Sequence, residues 1–349
     1  MNLLPNPLIS VIIPVYNGEQ TIKETIDSLL GQTYANWELI VINDGSSDRT
    51  LEILEEILGQ HPSVSHKIVS YAQTGVCASR NRGANLAQGE FLAFLDADDL
   101  WSPDKLAQQL QSLLNFTENF TGNSTEISTR NSTEITRKLA KAAVAYSWTD
   151  YLNEAGEFLY SGSHACHQGD VYQYLLLGNF LENGSNALIY APVFHEVGGF
   201  DESLVGGEEW DLFIRMARRY EFVVVTQVQV FYRLSNQSSS ASLDRQAAEC
   251  LKVIDRSFSA SPPHFQQLKP QSLGNLYRYL TFRGLSSDLA YTHPRLLLGY
   301  LWQSLRHDPQ GILPRWKLLS IVATKLIIAL LLPTPMSQQL ITRLQRNND

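Results

Sequence analysis

Residues 91–99 read FLAFLDADD, an apolar run that ends in three carboxylates within four positions. The run 91–95 is too short for a helix and is typical of a buried strand. Asp96, Asp98 and Asp99 would repel one another at its end unless a cation lay among them. Mg²⁺ and Mn²⁺ prefer carboxylate oxygens as ligands, and the same ion often also binds the phosphates of a substrate. The pattern favours a divalent metal site, although a solvated acidic turn that caps a helix has the same residues.

Strand and helix patterns alternate on both sides of this motif. Short apolar runs typical of strands occupy residues 8–15, 38–42 and 67–70, and helical spacing follows at 21–30, 48–58, 76–87 and 103–114. Such alternation predicts an α/β fold with a mainly parallel sheet and helices on both faces. Ligands bind at the carboxyl ends of the strands in sheets of this kind. We therefore expect residues 16–19, 43–47 and 96–99 to line one cleft.

Composition divides the rest of the chain. The chain has 349 residues, enough for one large domain and an appendage. Residues 115–137 are a low-complexity run of Asn, Thr, Ser and Glu, which predicts a surface insertion, and a strand resumes at 142–146. From residue 266 the pattern is Leu-rich and helical. We expect a catalytic-type α/β domain over 1–240 and a helical C-terminal region over 241–349.

The C-terminal region is basic within an acidic protein. Residues 265–349 carry 10 Lys and Arg against 3 Asp, a charge of +7, and residues 1–264 carry −15. These charges lie among Leu, Tyr and Trp without a base-stacking pattern, so anionic lipid is a better candidate partner than nucleic acid. Residues 318–332 are apolar but short for a membrane span. A helix lying on the membrane surface and a helix packed on the protein both fit.

The cysteines and the N-terminus indicate the compartment. Cys77, Cys166 and Cys250 are far apart, with no paired spacing that suggests disulfides or zinc. Residues 1–7 lack the basic start of a signal peptide. We expect a cytoplasmic protein, with the inner face of the membrane as the place of any peripheral association.

Several segments together resemble the family-2 glycosyltransferases, inverting enzymes with the GT-A fold, a Rossmann-like α/β architecture. The matching segments run in chain order over about 230 residues: 11–19 (VIIPVYNGE), 41–48 (VINDGSSD), 78–83 (ASRNRG), 96–98 (DAD), 197–202 (VGGFDE) and 207–212 (GEEWDL). An ordered set of this kind is far more specific than the acidic motif alone.

The resemblance implies a nucleotide-sugar donor site. By it, Pro14, Val15, Tyr16 and Glu19 lie in the nucleotide loop, with Val15 and Tyr16 flanking the base. Asp44 accepts a hydrogen bond from a uracil N–H, which implies a UDP-sugar, and Arg80 lies beside the base and the phosphates. Asp96 meets the ribose or the metal, and Asp98 binds the Mn²⁺ or Mg²⁺ that bridges the two phosphates. These residue types suit those tasks, because carboxylates accept N–H donors and cations offset phosphate charge.

The resemblance also implies a catalytic base. Inverting transfer needs a group that takes the proton of the acceptor hydroxyl. The family has an Asp in a Glu-Asp pair, whereas this chain has Glu208-Glu209, so Glu209 occupies the position with one extra methylene. Asp211 is the reserve candidate. Residues 231–233 and 236–240 match more weakly the segment that ends the family's catalytic domain.

These features predict an enzyme that moves a single sugar to a hydroxyl of a glycan or lipid-linked acceptor. The Gln-x-x-Arg-Trp motif of processive polymerases is absent from the sequence. Transfer to a polyprenyl phosphate is an alternative, since a basic, apolar tail suits a lipid acceptor. A protein that binds nucleotide sugars without turnover is another, because the base position carries Glu. A membrane adaptor without activity would not need Asp44, Asp96 and Asp98 together.

Overall fold

The computed structural model describes residues 6–119, 142–234, 243–285, 292–332 and 336. These residues divide into two compact units, one within 1–175 and 179–241 and the other within 176–178 and 242–349. Most of the predicted low-complexity insertion lies outside the described residues. Its first positions, 115–119, are helical, because the preceding helix continues to Asn119.

The first half of the first unit alternates strands and helices as predicted, with bounds that differ by one or two residues at most ends. Its elements are β1 (Ile9–Val15), α1 (Ile22–Leu30), β2 (Trp37–Asn43), α2 (Thr50–Gln60), β3 (His66–Ser70), α3 (Val76–Leu86), β4 (Phe91–Phe94), the short β5 (Leu100–Trp101) and α4 (Lys105–Asn119).

The second half continues the same sheet. Its elements are β6 (Ala142–Leu152), β7 (Phe158–Ser161), α5 (Tyr172–Leu177), β8 (Leu188–Tyr190), α6 (Ala191–Glu196), α7 (Glu208–Ala217) and β9 (Glu221–Arg233). The strand order is β3-β2-β1-β4-β8-β6-β9-β5, and β7 pairs with β6. The longest ladders, between β1 and β2 and between β6 and β9, are parallel. The short strands β5, β7 and β8 pair antiparallel.

The direction of the strands decides where the site lies. β8 runs antiparallel to both β4 and β6, so β6 runs in the direction of β4, and β9 is parallel to β6. The carboxyl ends of β1, β2, β4, β6 and β9 therefore share one edge of the sheet. The acidic motif that follows β4 lies at this edge, where parallel sheets bind ligands.

Helices cover both faces of the sheet, as predicted. Every residue of β1 is buried. Ile9, Val11 and Ile13 belong to a core cluster with apolar residues of α1, α2 and α4. On the other face α3 packs against Ile12, so closely that a Cβ on Gly83 would lie 2.3 Å from the Ile12 Cγ2. The predicted α/β fold with a mainly parallel sheet is confirmed.

The second unit is helical, which confirms the prediction of a helical C-terminal region. Its elements are α8 (Leu243–Ser259), a 3₁₀ helix (Pro263–Leu268), α9 (Lys269–Leu285), α10 (Pro294–His307), α11 (Pro309–Ile312), a second 3₁₀ helix (Leu313–Arg315) and α12 (Trp316–Leu331). Among the described residues, none of the helices has both the length and the apolar character that crossing a membrane requires.

Candidate active site

The acidic motif is held by hydrogen bonds to its main chain. Thr21 Oγ1 and Thr25 Oγ1 donate to the carbonyl of Ala97 over 2.8 and 3.0 Å, and Thr25 also donates to the carbonyl of Asp99. The amide of Asp96 donates to Ser185 Oγ at 3.0 Å. These contacts leave the Asp96 and Asp98 carboxylates available for other partners.

Asp99 is the structural member of the motif. Its side chain is fully buried and accepts hydrogen bonds from Ser185 Oγ at 2.5 Å and from the amide of Arg233 at 3.1 Å. Burial, then the charges of Asp98 and Asp96, raise the pKa of Asp99 well above its usual range. Asp99 thus ties the loop after β4 to β9 and to the segment before β8.

Arg80 joins the acidic motif to the predicted base. This side chain, 2% exposed, donates from Nη2 to both Asp96 carboxylate oxygens at 2.6 and 2.9 Å. Its Nη1 lies 3.0 Å from Glu209 Oε1 and 3.5 Å from Glu208 Oε1. Burial opposes the charged guanidinium, but the charges of Asp96, Glu209 and Glu208 outweigh it and raise the pKa of Arg80. Residues from α3, from the loop after β4 and from α7 thus form one ion-pair network.

The Glu208-Glu209 pair begins α7, immediately after Gly207 in the left-handed conformation at φ 73°. Glu208 is buried, and burial followed by the charge of Glu209 raises its pKa to about 8. Glu209 is partly exposed, with 17% of its side chain accessible. Of the pair, Glu209 is therefore the more accessible to an incoming molecule.

Asp98 has the properties of a cation ligand. Within the described residues its carboxylate accepts no hydrogen bond or ion pair from another residue. Burial, then the charge of Asp96, raise its pKa to about 6. A divalent ion would remove this cost, so the donor set fits Mn²⁺ or Mg²⁺. In the described part of the chain, no group of three or more acidic, His or Cys side chains is placed to hold a metal ion.

The predicted donor-binding residues lie at the same edge of the sheet. Pro14 and Val15 are buried at the end of β1, and Tyr16 after them is 48% exposed. The Asp44 carboxylate accepts from the amides of Thr74 and Gly75 at 2.9 and 2.7 Å. It also accepts from the Thr74 hydroxyl at 3.1 Å. Asp44 thereby fixes the start of α3, the helix that carries Arg80.

Two predicted residues have other partners in the structure. Glu19 Oε2 accepts from the amide of Arg49 at 3.0 Å, at the start of α2. Asp211 Oδ2 accepts from Arg215 Nε at 2.7 Å, and Arg215 also donates to the carbonyls of Val197 and Gly199. Asp211 therefore holds the loop before α7, and its role as reserve base stays a prediction.

The segment 183–186 belongs to the site, and sequence reasoning missed it. Ser185 links Asp96 to Asp99, and its carbonyl accepts from Trp101 Nε1 at 2.8 Å. A Cβ on Gly184 would lie 2.6 Å from Arg80 Nη2 and 3.1 Å from Glu209 Oε1. The polar run Asn-Gly-Ser-Asn before the apolar strand β8 was a signal, since such runs at strand ends line clefts.

Arg233, the last residue of β9 and part of the weakly matching segment 231–233, makes a contact with the acidic loop that the sequence did not predict. Arg233 Nε donates to the carbonyl of Asp98 at 3.1 Å, and Nη1 donates to the carbonyl of Glu154 at 2.9 Å. Arg233 is 5% exposed and also pairs with Glu24 of α1. It therefore positions the acidic loop through its main chain. Residues 236–240 of the same match lie outside the described residues.

The mixed sheet with an acidic motif at the carboxyl end of β4 is the architecture of the GT-A class. A family model for "Glycosyltransferase like family 2" matches residues 10–284. The chain therefore belongs to the glycosyltransferase-like family 2, which confirms the resemblance read from its motifs.

Curated relatives cover parts of the chain. An uncharacterized glycosyltransferase of Rickettsia felis is 28% identical over 86% of this chain and 46% of its own length. The putative teichuronic acid biosynthesis glycosyltransferase TuaG of Bacillus subtilis is 39% identical over 34% of this chain and 47% of its own. UDP-Glc:alpha-D-GlcNAc-diphosphoundecaprenol beta-1,3-glucosyltransferase WfgD of Escherichia coli is 42% identical over 32% of this chain and 44% of its own. The chain thus spans about half the length of these relatives.

Solved structures share the fold. The mannosyltransferase PcManGT from Pyrobaculum calidifontis, in complex with GDP-Man and Mn²⁺, has a TM-score of 0.53 at 16% identity, covering 92% of this chain and 87% of its own. TarS of S. aureus in complex with UDP-GlcNAc has a TM-score of 0.50 at 16% identity, covering 91% and 90%. At this identity the likeness supports the GT-A fold alone.

Proposed function

We propose that the protein is an inverting glycosyltransferase that moves one sugar from a UDP-sugar to a hydroxyl of a glycan or lipid-linked acceptor. The observation that carries this proposal is the Arg80 network. It brings Asp96 of the acidic motif and Glu209 of the acceptor-side segment onto one buried guanidinium, although the three residues come from distant parts of the chain.

The nucleotide of the donor would bind at the edge of the sheet where β1 and β2 end. Tyr16 offers an exposed aromatic face to a base, and the preceding Val15 is buried at the end of β1. A carboxylate can accept about four hydrogen bonds, and Asp44 already has three, so one acceptor position remains for a ring N–H such as that of uracil. Glu19 ties the loop after β1 to the start of α2 through the amide of Arg49.

Asp98, with Asp96 as its neighbour, would hold the divalent ion. A bound Mn²⁺ or Mg²⁺ supplies positive charge to the diphosphate that leaves the sugar. PcManGT is described with GDP-Man and Mn²⁺, which supports metal use in this fold. Asp98 suits the task because its burial and the nearby Asp96 make an uncompensated charge unfavourable there.

Glu209 is the proposed base. The acceptor oxygen attacks the anomeric carbon from the side opposite the diphosphate, the bond from that carbon to the phosphate oxygen breaks, and the acceptor proton passes to the Glu209 carboxylate. Arg80 orients this carboxylate through one oxygen, Oε1, which leaves Oε2 for the acceptor hydroxyl.

The relatives support an acceptor of the cell envelope. The name of WfgD specifies a sugar on diphosphoundecaprenol, and that of TuaG specifies teichuronic acid biosynthesis. We propose the same acceptor class here, and a cytoplasmic protein at the inner face of the membrane. The exposed apolar residues of α12 favour that location, since Trp316, Ile327 and Leu331 are exposed beside Lys317.

Product formation tests the proposed function. Purified protein is incubated with UDP-glucose, UDP-GlcNAc, UDP-galactose or GDP-mannose, a neutral alkyl glycoside or a polyprenyl-diphosphate sugar, and Mn²⁺. Anomeric configuration of the product is read by NMR. We expect one added sugar of inverted configuration. Tight UDP-sugar binding without product would instead identify a binding protein without turnover.

Vesicle sedimentation tests the proposed membrane location. Replacing Trp316 and Leu331 with Ser should release the protein from anionic vesicles. The matched control is Phe158→Ser, because Phe158 and Trp316 are each 61% exposed and Phe158 lies in the first unit. Equal sedimentation of both variants and the original protein would contradict the membrane location.

A further inference from the structure

Four side chains around the end of β6 form a cluster outside the network described above. His164 Nε2 lies 3.0 Å from Asp150 Oδ1, and their side chains are 29% and 16% exposed. The His164 ring stacks on Trp148, with centroids 4.7 Å apart and planes at 11°. Glu182 lies close enough to His164 and Asp150 for their charges to act on it. The cluster is therefore accessible, polar and aromatic at once.

The protein fixes this cluster rigidly. Glu182 Oε1 accepts from the amide of Ser163 at 2.8 Å, and Glu182 Oε2 lies 2.3 Å from the point where a Cβ on Gly162 would be. His164 and Glu182 both have left-handed backbones, at φ 45° and 75°. Such conformations are uncommon for residues other than glycine and persist where the surroundings impose them.

The cluster adjoins the reaction centre through two routes. Asp150 pairs with Phe231, which pairs with Leu100, the residue after Asp99. Since neighbouring strands lie about 4.8 Å apart, the Asp150 backbone is roughly 10 Å from that of Leu100. Along the chain, Glu182 lies two residues before Gly184, and Gly184 borders Arg80 and Glu209.

The chemistry of the cluster selects a kind of ligand. If His164 Nε2–H donates to Asp150, Nδ1 is an acceptor, and the second Asp150 oxygen is another, with no further partner for either among the described residues. Such a site takes hydroxyl donors. The carboxyl groups of Asp150 and Glu182 disfavour an anion, whereas a neutral sugar donates several hydroxyls and can lay its C–H face on aromatic surface. A metal ion is disfavoured, because the described residues include no ligand cluster of the required geometry.

We propose that Trp148, Asp150 and His164, held by Glu182, form a subsite for an uncharged sugar of the acceptor, next to the hydroxyl that attacks. This inference rests on the proposed function and specifies its acceptor class. The subsite places the sugar between the β6 end and Glu209, so that its hydroxyls bind Asp150 and His164 while one hydroxyl reaches the base.

Acceptor kinetics test the subsite. The probes are neutral octyl glycosides of glucose, galactose, mannose, N-acetylglucosamine and rhamnose. The octyl glycoside of N-acetylglucosamine 6-phosphate serves as the matched anionic probe. Asp150→Asn and His164→Asn should raise the acceptor KM roughly tenfold, the effect of weakening a hydrogen bond to the sugar. Trp148→Ala should raise it by a similar factor, because it removes the aromatic surface and the ring on which His164 stacks. Donor KM should stay within about twofold. Asn tolerates the left-handed backbone at position 164, so folding is preserved.

His195→Ala is the matched control, because His195 is an exposed histidine of the same unit outside the cluster. Binding of the glycosides in the presence of UDP is measured in parallel by titration calorimetry. Unchanged acceptor KM in the three variants, or a parallel rise of donor and acceptor KM, would overturn the subsite, as would equal use of the phosphorylated glycoside. Failure of every neutral glycoside to bind would also overturn it. If the original protein binds the glycosides but transfers no sugar to them, and the three variants bind them more weakly, the proposed function is contradicted and the subsite is not.

Discussion

Arg80 Nη1 donates a hydrogen bond to Glu209 Oε1 across 3.0 Å, although 129 positions separate the two residues in the chain. The second terminal nitrogen of the same guanidinium, Nη2, donates to both carboxylate oxygens of Asp96. The two terminal nitrogens of the rigid guanidinium thus serve two different carboxylates, Nη2 that of Asp96 and Nη1 that of Glu209, whereas a lysine ammonium would present a single nitrogen. This arrangement favours arginine at this position and couples the donor side of the site to the acceptor side.

Arg80→Lys should keep the positive charge and lose this bridge. We expect transfer to fall by roughly 10² or more, because the ammonium cannot orient Asp96 and Glu209 together. Arg80→Ala should also destabilise the fold, by about 3–5 kcal/mol, since it leaves buried acids without their cation. Steady-state kinetics and urea unfolding measure the two effects. Near-normal transfer by the lysine variant would show that charge alone is required.

Gly184→Ala should inactivate the protein with little change in the fold. The added Cβ would lie 2.6 Å from Arg80 Nη2 and 3.1 Å from Glu209 Oε1, so the guanidinium must move. A displacement of about 1 Å at a reacting group can cost a hundredfold in rate. The control is Gly59→Ala in α2, where a Cβ meets nothing within 4 Å. Equal activities of the two variants would refute the close packing at Gly184.

Glu208 makes the stability of the protein depend on pH. Its pKa is raised by burial and by Glu209 to about 8, above the usual value of 4.5. The folded state thus binds this proton more tightly than the unfolded state, so the stabilising contribution is complete below about pH 4.5 and is lost as pH rises to about 8. In Glu208→Gln the loss of stability between pH 5.5 and 8.5 should shrink by more than about 1 kcal/mol.

Urea unfolding at both pH values measures this difference. Glu196→Gln is the control, because the bonds from Tyr220 and Arg219 lower the pKa of Glu196 and keep it ionised throughout that range. If the stability of Glu208→Gln falls between pH 5.5 and 8.5 as much as that of Glu196→Gln and of the original protein, the Glu208 carboxyl is ionised in the folded state at neutral pH.

Asp98→Asn should abolish metal-dependent nucleotide binding and leave the fold intact. The neutral amide removes a charge that burial and Asp96 disfavour, as its raised pKa of about 6 indicates, so the metal-free variant should be as stable as the original protein or more so. Thermal shifts with UDP and Mn²⁺ measure the effect, since a ligand at a hundred times its Kd stabilises by about 2.7 kcal/mol. A UDP-induced shift of the original protein that is as large in EDTA as with Mn²⁺, and that Asp98→Asn retains, would exclude this metal site.

Local patterns explain which parts of the structure could be predicted from the sequence. Strand β4 and the motif after it are visible because five apolar residues and three acids adjoin in the chain. The Arg80 network was not predicted: the family motifs identified Arg80, Asp96 and Glu209 separately, and nothing local pairs residue 80 with residue 209. Ser185 and Gly184 were missed because their roles depend on how β8 inserts between β4 and β6. The position of β8 in the sheet is set by tertiary pairing and leaves no hydrophobic periodicity in the local sequence.

The identity of the base is the sharpest test of the site. Glu209 and Asp211 are two positions apart on α7, but Glu209 contacts Arg80 and Asp211 contacts Arg215. Glu209→Gln keeps the size and hydrogen-bonding reach of the side chain and loses its basicity. Donor binding should therefore persist while kcat falls by about 10²–10⁴.

Asp211→Asn should act differently, because Asp211 holds Arg215 against the carbonyls of Val197 and Gly199. We expect a lower melting temperature and a kcat within about threefold of the original at temperatures where the variant is folded. Glu209→Asp retains the carboxylate but withdraws it by one methylene, so it should keep partial activity. Single-turnover kinetics with saturating donor and acceptor separate chemistry from binding in all three variants. A large kcat loss in Asp211→Asn with normal turnover by Glu209→Gln would transfer the role of base to Asp211.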